Sequence, residues 1–420
     1  MLQEQVEREE IIARVAALDI GKAELVCCVR VPGSGRGACA GGDDARHDDP
    51  VVVGVGGPVA RDGVTRVVME ATSDYWKAPF YVLEAAGFET WLVNAKDVKH
   101  LPGRPKTDRL DAVWLCKVAE RQMLRPSFVP PPAIRELRDV TRYRVALIET
   151  RTQEKQRVEK VLEDAQIKLS VVASDIFGVS GRDMMAALVS GQRDPAQLAQ
   201  LARGRMRGKV AQLEEALTGR FSDHHGFLLT QMLNRIDALS ADIAVLDARI
   251  EEMMAPFGDA ADRLDAIPGV GRSAAAVIIA EVGVDMSRFP TAAHLASWAK
   301  FAPGIKESAG RKKGTGATGH GNRYLARVLG EAAVSASKTD TFLGERYRRI
   351  ARRRGKKKAV VAVGRSILVI CWHLLADPDA QYTDLGADYY ERHTNTARQR
   401  RDHVRKLEAL GYQVTLEPVA

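Results

Sequence analysis

The sequence predicts an α/β domain at the N-terminus and a mainly helical remainder. Short strand-like runs occur only between residues 14 and 93, whereas helical periodicity dominates beyond residue 134. Between these regions stand three consecutive prolines, 130–132, which lack the N–H donors that a helix or central strand needs. We therefore predict a domain boundary between residues 129 and 130.

Strands and helices alternate in the first domain. Residues 14–20 and 24–31 are apolar runs joined by a Gly-Lys turn and predict two strands. Further strands are predicted at 51–55, 66–71 and 90–93, and helices at 75–86 and from residue 107 onward. The insert 33–50 is rich in Gly and Asp, and we expect a solvated, mobile loop rather than a metal site.

The second region has the pattern of paired long helices. One helix is predicted from residue 134 to about 176. The apolar residues of the next helix alternate spacings of three and four, as in a coiled coil: Leu229, Met232, Ile236, Leu239, Ile243, Leu246, Ile250 and Met253. This seam predicts either a hairpin within the chain or a stalk for dimerisation.

Composition and charge favour a polyanionic partner. The chain has 420 residues, and 62 Lys and Arg against 54 Asp and Glu give it a net charge of +8. Five scattered cysteines exclude a disulfide scaffold, and the Glu-rich start predicts no signal peptide. Arg365 and His373 interrupt the apolar stretch 359–376, so we expect no membrane span and a cytoplasmic protein.

Basic and glycine-rich segments in the C-terminal part predict phosphate contacts. PGVG at 268–271 resembles the turn of a helix-hairpin-helix, where amides at a helix start hold phosphate. A glycine-rich basic loop spans 306–322, and nine of the thirteen residues 346–358 are Lys or Arg. The candidate nucleic-acid contacts are Gly269, Gly271, Arg272, Arg311, Lys312, Lys313, Arg323, Arg352, Arg353 and Lys356.

Four carboxylates stand where strands or helices begin or end. Asp19 and Glu70 close predicted strands, and Asp108 and Asp111, three residues apart, share one face of a helix. Singly each is an ordinary capping residue, but together they would repel each other without a cation. Mg²⁺ or Mn²⁺ relieves that repulsion and supports phosphodiester cleavage with one or two ions.

Several of these motifs together resemble a known family. LDIGK (18–22), MEATSDYW (69–76) and GRPKTDRLDA (103–112) are similar to the ribonuclease-H/RuvC-like domain of DEDD-type insertion-sequence transposases. PGVGRSAAAVIIAEVG (268–283) and the segment 301–325 resemble that family's second region. The resemblance implies magnesium binding by Asp19, Glu70, Asp108 and Asp111. It also implies a serine that joins covalently to DNA, here Ser308, and a structured non-coding bridge RNA as guide.

The resemblance completes the predicted organisation. We expect a RuvC-like metal-binding catalytic domain (1–129), a helical coiled-coil domain (130–258), a C-terminal transposase domain with Ser308 (259–376) and a tail containing an extra helix (377–420). The expected partners are DNA, guide RNA and further copies of the chain, as dimer or tetramer, at the bacterial nucleoid.

Three other functions remain open from sequence. A site-specific invertase would use the same chemistry as a transposase. A RuvC-like junction nuclease would attack with water and leave Ser308 a structural role. An inactive nucleic-acid-binding scaffold would not need the four acids, which are all present here.

Overall fold

The structure is a computed structural model. It describes residues 12, 14–22, 24–31, 45–46, 63–95, 98, 108–304, 306–308, 311–313, 318–393 and 396–417. The chain divides into two units, 1–129 and 130–420, and this division falls at the proline run. The strand predicted at 51–55 lies outside the described residues.

The N-terminal unit is built on a five-stranded mixed sheet in the order β3-β2-β1-β4-β5. β1 is antiparallel to β2 and parallel to β4, which is parallel to β5. The sheet confirms the predicted α/β layout. Its strands are β1 (Val15–Ile20), β2 (Glu24–Arg30), β3 (Ala45–Arg46), β4 (Arg66–Glu70) and β5 (Glu89–Val93).

Part of the insert 33–50 departs from the predicted loop. Ala45 and Arg46 form β3 and pair antiparallel with Leu25 and Glu24 of β2. The unpaired edge of β2 offers backbone donors and acceptors, so even two residues of a Gly- and Asp-rich segment can extend the sheet.

Helices cover both faces of the sheet. They are α1 (Lys77–Ala85) and α2 (Asp108–Glu120). Because side chains alternate along a strand, Val15 and Ala17 pack with residues of α2, whereas Ala16 and Leu18 pack with residues of α1. Burial on both sides explains why this stretch of β1 is apolar without a break.

The described part of the C-terminal unit consists of helices with their connecting segments and one short hairpin. Its helices are α3 (Pro132–Asp164), α4 (Leu169–Val172), α5 (Val179–Val189), α6 (Pro195–Ala199), α7 (Val210–Ala216), α8 (Asp223–Met254), α9 (Gly258–Asp265), α10 (Arg272–Val282), α11 (Ala292–Trp298), α12 (Arg323–Ala336), α13 (Phe342–Arg354), α14 (Lys356–Ala376), α15 (Tyr389–Arg392) and α16 (Thr396–Ala409). The hairpin consists of β6 (Lys306–Ser308) and β7 (Arg311–Lys313).

The long helices α3 and α8 pair antiparallel within the chain. Arg144 is ion-paired with Asp247, Arg151 Nη1 donates to Ser240 Oγ at 3.2 Å, and Asp164 lies 3.0 Å from His225. These partners run in opposite directions along the two helices. The seam residues Leu229, Ile236, Leu239 and Ile243 are buried. The intrachain hairpin thus accounts for much of the seam, and dimerisation through it stays a prediction.

The helix predicted over 134–176 is shorter in the structure. It ends at Asp164, and Gln166 adopts a φ of 61°. The Ala165 carbonyl accepts a hydrogen bond of 2.7 Å from Arg220 N, and a Cβ on Gly219 would lie 2.4 Å from that oxygen. The prediction was wrong because a segment distant in sequence supplies the partner that ends the helix.

α14 is the central helix of the C-terminal bundle. By length and composition alone it is apolar enough to cross a membrane. Its residues Val363, Ile367, Leu368 and Cys371 are fully buried, and it packs against α11, α12 and α13. A core helix surrounded by other helices has the same composition as a membrane span, and the packing accounts for its apolar character.

Candidate acidic site and serine hairpin

Asp19 and Glu70 lie side by side at the ends of neighbouring parallel strands. Leu18 of β1 is the register partner of Met69 of β4, and the two acids are the next residues of those strands. Both side chains are half-buried. Strand alternation directs Asp19 to the same face as Ala17, and Glu70 to the same face as Val68, which is the face covered by α2.

α2 carries the other two predicted acids near its start. Asp108 is its first residue and stands one turn before Ala112; Asp111 stands one turn before Leu115. Ala112 and Leu115 are buried against the sheet, so both acidic positions continue the stripe of α2 that faces it. The Asp111 side chain is half-buried, and the Asp108 side chain lies outside the described residues.

The donor set fits a divalent cation. Carboxylate oxygens are the ligands that Mg²⁺ and Mn²⁺ prefer. Asp19 and Glu70 lie on the face of the sheet that α2 covers, and Asp111 lies on α2 itself. Among the side chains that the structure describes, no group of three or more His, Cys, Asp or Glu is assembled for a metal. A complete four-acid site therefore stays a prediction that includes Asp108.

A buried thiol of α2 joins this helix to the sheet. Cys116 Sγ of α2 donates to the carbonyls of Val15, at 3.4 Å, and Cys28, at 3.5 Å. A hydrogen bond with Cys28 and burial raise the pKa of the Cys116 thiol well above its ordinary range. Burial and the neighbouring Cys28 raise the pKa of Cys27 to about 12. Because thiolates are the metal ligands, protonated Cys116 adds no competing ligand on the α2 face, and Cys27 packs on the opposite face, with α1.

Ser308 ends the first strand of the β6–β7 hairpin. It pairs across the hairpin with Arg311, and Lys306 pairs with Lys313. The sequence predicted a loop for these residues, whereas the structure gives two three-residue strands. Arg311 is exposed, and the side chains of Ser308, Lys312 and Lys313 lie outside the described residues. Ser308 belongs to the C-terminal unit and the four acids to the N-terminal unit.

A buried carboxylate anchors the helix that follows the hairpin. Glu281 of α10 is fully buried. Arg142 of α3 donates to its two oxygens at 2.8 Å each, and Asn322 Nδ2 donates to Oε2. Asn322 Oδ1 in turn accepts from the N–H groups of Tyr324 and Leu325 and so caps α12. Glu281 thus connects α3, α10 and the start of α12.

Sequence patterns missed this network. Glu281 is an isolated acid in the apolar run AAAVIIAEVG, and Arg142 lies in a helix with many charged residues. A single acid inside an otherwise buried helical run is the signal that was available, because a charge there needs a cationic partner.

Removing the Glu281 carboxylate is expected to destabilise the C-terminal unit. Glu281→Ala leaves Arg138 and Arg142 without the acid that both face, at 3.5 and 2.8 Å. Breaking a buried ion pair costs about 3–5 kcal/mol. The measurement is the free energy of unfolding in urea, followed by circular dichroism.

Glu331→Ala is the matched control for Glu281→Ala. Glu331 of α12 has a side chain that is 66% exposed and pairs with Arg327 at 2.9 Å. Exposed pairs of this kind contribute less than about 1 kcal/mol. Equal urea midpoints for the two variants would contradict the structural role assigned to Glu281.

The PGVG turn is required by packing. Gly269 has a φ of 90°, and a Cβ there would lie 2.2 Å from the carbonyl oxygen of Ala332 in α12. Only glycine fits this position. Gly271 is exposed at the start of α10, and Arg272 Nη2 is ion-paired with Asp262 at 2.7 Å. Phosphate binding by this turn stays a prediction.

The other predicted phosphate contacts are on the surface of the C-terminal unit. Arg352, Arg353 and Lys356 are exposed around the junction of α13 and α14. Arg323 is also exposed, and its Nη2 lies 3.1 Å from Glu149 Oε2. A phosphate that binds Arg323 therefore competes with a carboxylate of the same chain.

Comparison with known families identifies the class of the protein. Residues 16–167 match the family model DEDD_Tnp_IS110, described as a transposase. Residues 261–348 match the model of the transposase IS116/IS110/IS902 family. The first match contains Asp19, Glu70, Asp108 and Asp111, and the second contains Ser308.

One relative is a protein of Streptomyces coelicolor, the insertion element IS110 uncharacterized 43.6 kDa protein. It is 38% identical over 116 residues, which make up 27% of this chain and 28% of that protein. The chain belongs to the DEDD-type insertion-sequence transposases.

Proposed function

We propose that this protein is the DNA transposase of a mobile insertion sequence. It excises and inserts the element by metal-dependent cleavage and exchange of strands. The observation that carries the proposal is the adjacency of Asp19 and Glu70 on the α2 face of the sheet, in a chain of this family. The sequence pattern adds Asp108 and Asp111 to the same site.

The four acids would hold Mg²⁺ or Mn²⁺ through their carboxylate oxygens. When bound, the cation polarises the scissile phosphate and lowers the pKa of the attacking oxygen. Asp19 and Glu70 are positioned by strands whose preceding residues are buried on both faces, so their oxygens have little freedom to move. The protein would thus contribute to catalysis by holding the two carboxylates at a fixed spacing around the cation.

Ser308 is the proposed nucleophile. Its Oγ attacks the scissile phosphorus, a serine–phosphate ester forms, and the bond to the leaving strand breaks to give a free hydroxyl. Arg311 faces Ser308 across the hairpin, and Lys312 and Lys313 follow it. Arg311, with the positive charge that Lys312 and Lys313 add to the same short strand, would help to hold the phosphate and balance the charge of the transition state.

The nucleic-acid contacts are assigned to the C-terminal unit. DNA would lie along Gly269, Gly271, Arg272, Arg323, Arg352, Arg353 and Lys356, and a bridge RNA would direct the choice of sites. The chain would act as a dimer or tetramer. In such an assembly the acids could act with Ser308 of another copy as well as with Ser308 of their own. The proposed location is the cytoplasm, at the nucleoid.

A covalent adduct is the direct test of this function. The purified chain is incubated with duplex DNA spanning the ends of its element, the transcript of the element's non-coding end, and MgCl₂. We expect a protein–DNA adduct that survives denaturation, because a serine–phosphate ester is covalent. Samples with EDTA in place of MgCl₂ should show none.

Other outcomes identify the competing functions. Cleaved DNA without an adduct would indicate a nuclease that attacks with water. Adducts that lead only to inversion of the segment between two sites would indicate an invertase. Stable DNA and RNA binding with intact strands would indicate a scaffold.

A further inference from the structure

A cavity lies between α13, α14 and the start of the tail, and its lining includes none of the candidate contacts that were named singly above. Its volume is about 570 Å³, and the tail segment 380–385 forms one side. Sites for small organic ligands span roughly 300–1,000 Å³, so this cavity has room for one.

The cavity combines an apolar surface with cations. Val369, Ile370 and Leu374 of α14 contribute the apolar part. Arg346, Arg365 and His373 supply the cationic or titratable groups. Among the described residues that line the cavity there is no Asp or Glu, so a bound anion meets no carboxylate from them.

An acid that stands between two lining residues of the tail is already engaged. Asp384 of the tail accepts hydrogen bonds from Phe342 N at 3.1 Å, Tyr382 Oη at 3.2 Å and Gly386 N at 3.1 Å. The bond from Phe342 N ties the tail to the start of α13, and the other two bonds lie within the tail. Phe342 and Tyr382 both line the cavity.

Contacts with Tyr390 hold Phe342 and Arg346 in place, and one N–H group of Arg346 has no acceptor among the described residues. The Phe342 ring stacks on Tyr390, with centroids 5.5 Å apart. Arg346 Nη1 donates to Tyr390 Oη at 3.0 Å. Arg346 Nε is buried, and no acceptor among the described residues reaches it. A buried charged donor without a partner favours an anionic ligand.

We propose that this cavity holds one unpaired nucleotide of a nucleic-acid strand. The base lies on the apolar surface beside Phe342, and the adjoining phosphate is bound by Arg346 and Arg365. Single-strand binding sites combine these two elements, a stacking surface and cations along the backbone. Arg352 and Arg353 continue the basic character of α13 beyond the cavity. The proposal requires nucleic-acid binding but no cleavage, and it holds whether or not Ser308 is the nucleophile.

Filling the cavity tests the proposal against a matched substitution on the same helix. Val369→Trp occupies the apolar surface. Val361→Trp makes the same change at an exposed position of α14 outside the lining. Binding is measured by fluorescence anisotropy for a single strand with adenine bases and for a base-free strand with the same phosphates, each as DNA and as RNA.

The wild-type chain is expected to bind the strand with bases about tenfold more tightly than the base-free strand, since stacking of one base supplies a difference of this size. Val369→Trp should remove that preference, and Val361→Trp should keep it. An equal preference in both variants would overturn the proposal. The preference for bases is compared between the DNA strands and the RNA strands, and the larger value identifies whether the nucleotide belongs to DNA or to RNA.

Photocrosslinking of the wild-type chain provides a second measurement that no folding defect can affect. Strands carrying 5-iodouracil, as DNA and as RNA, are irradiated with the protein, and the crosslinked peptides are sequenced. Crosslinks at Phe342, Tyr382 or His373 support the proposal. Crosslinks from both strands that map only elsewhere overturn it. The proposal is also overturned if free 5-iodouridine monophosphate labels the cavity residues while neither strand crosslinks to them.

Discussion

Ser308→Ala is expected to abolish the covalent protein–DNA adduct. Alanine lacks the oxygen that would form the ester, so the loss should be complete rather than partial. The measurement is the adduct assay with element-end DNA, element transcript and MgCl₂, analysed after denaturation. DNA binding by the variant, measured separately, should stay within about twofold of wild type, because the cations on β7 and α13 are unchanged.

Ser335→Ala is the control for this prediction. Ser335 is an exposed serine of α12 in the same unit, and its loss removes a hydroxyl of the same kind. Its adduct should equal that of wild type. If Ser308→Ala retains the adduct, another residue carries the bond to DNA and the assignment of Ser308 is wrong.

Asp19→Asn is expected to lower strand cleavage by about a thousandfold. The amide keeps the size of the side chain but removes one negative charge from the site where Asp19 lies beside Glu70. Weaker stabilisation of a bound cation raises the barrier by several kcal/mol, and each ~1.4 kcal/mol is a factor of ten. Cleavage rates are measured at a series of MgCl₂ concentrations, where the variant should also need more metal.

Asp74→Asn tests whether the effect depends on position. Asp74 follows β4 closely, and its side chain is 81% exposed and pairs with Lys77. This substitution also removes one negative charge from the N-terminal unit, yet it should leave the rate and the metal requirement unchanged. Equal losses in Asp19→Asn and Asp74→Asn would indicate a general charge effect rather than a metal site.

Local patterns were sufficient to predict the acidic edge of the sheet. Asp19 and Glu70 each follow a short apolar run, and strand ends can be recognised from a few residues. The structure then places these two residues on neighbouring parallel strands. The structure adds what the sequence analysis did not specify, namely that both acids lie on the face of the sheet that α2 covers.

Contacts between distant segments were not predictable in the same way. Arg142 and Glu281 are 139 residues apart, and Glu281 and Asn322 are 41 apart. No local period connects such positions. The end of α3 depends in the same manner on Arg220, which supplies a donor from another segment. β3 was missed because a two-residue strand has no periodicity of its own.

Ser308 illustrates a different limit. A serine before a small residue is usually a turn residue, and its proposed role came from the resemblance of the surrounding motif. The structure adds its pairing with Arg311. The role of its hydroxyl is a chemical question that the adduct experiments address.

The helix pair α3–α8 also has a mechanical consequence. Glu281 is ion-paired with Arg138 and Arg142 of α3, whereas the short helices α4–α7 pack together beyond Asp164, at the opposite end of α3. Because an α-helix rises about 1.5 Å per residue, Asp164 lies roughly 33 Å along α3 from Arg142. On that length, a rotation of about 10° displaces the far end by roughly 6 Å. A rotation of the pair about the Glu281 contacts would therefore move its distant end much farther than the start of α12.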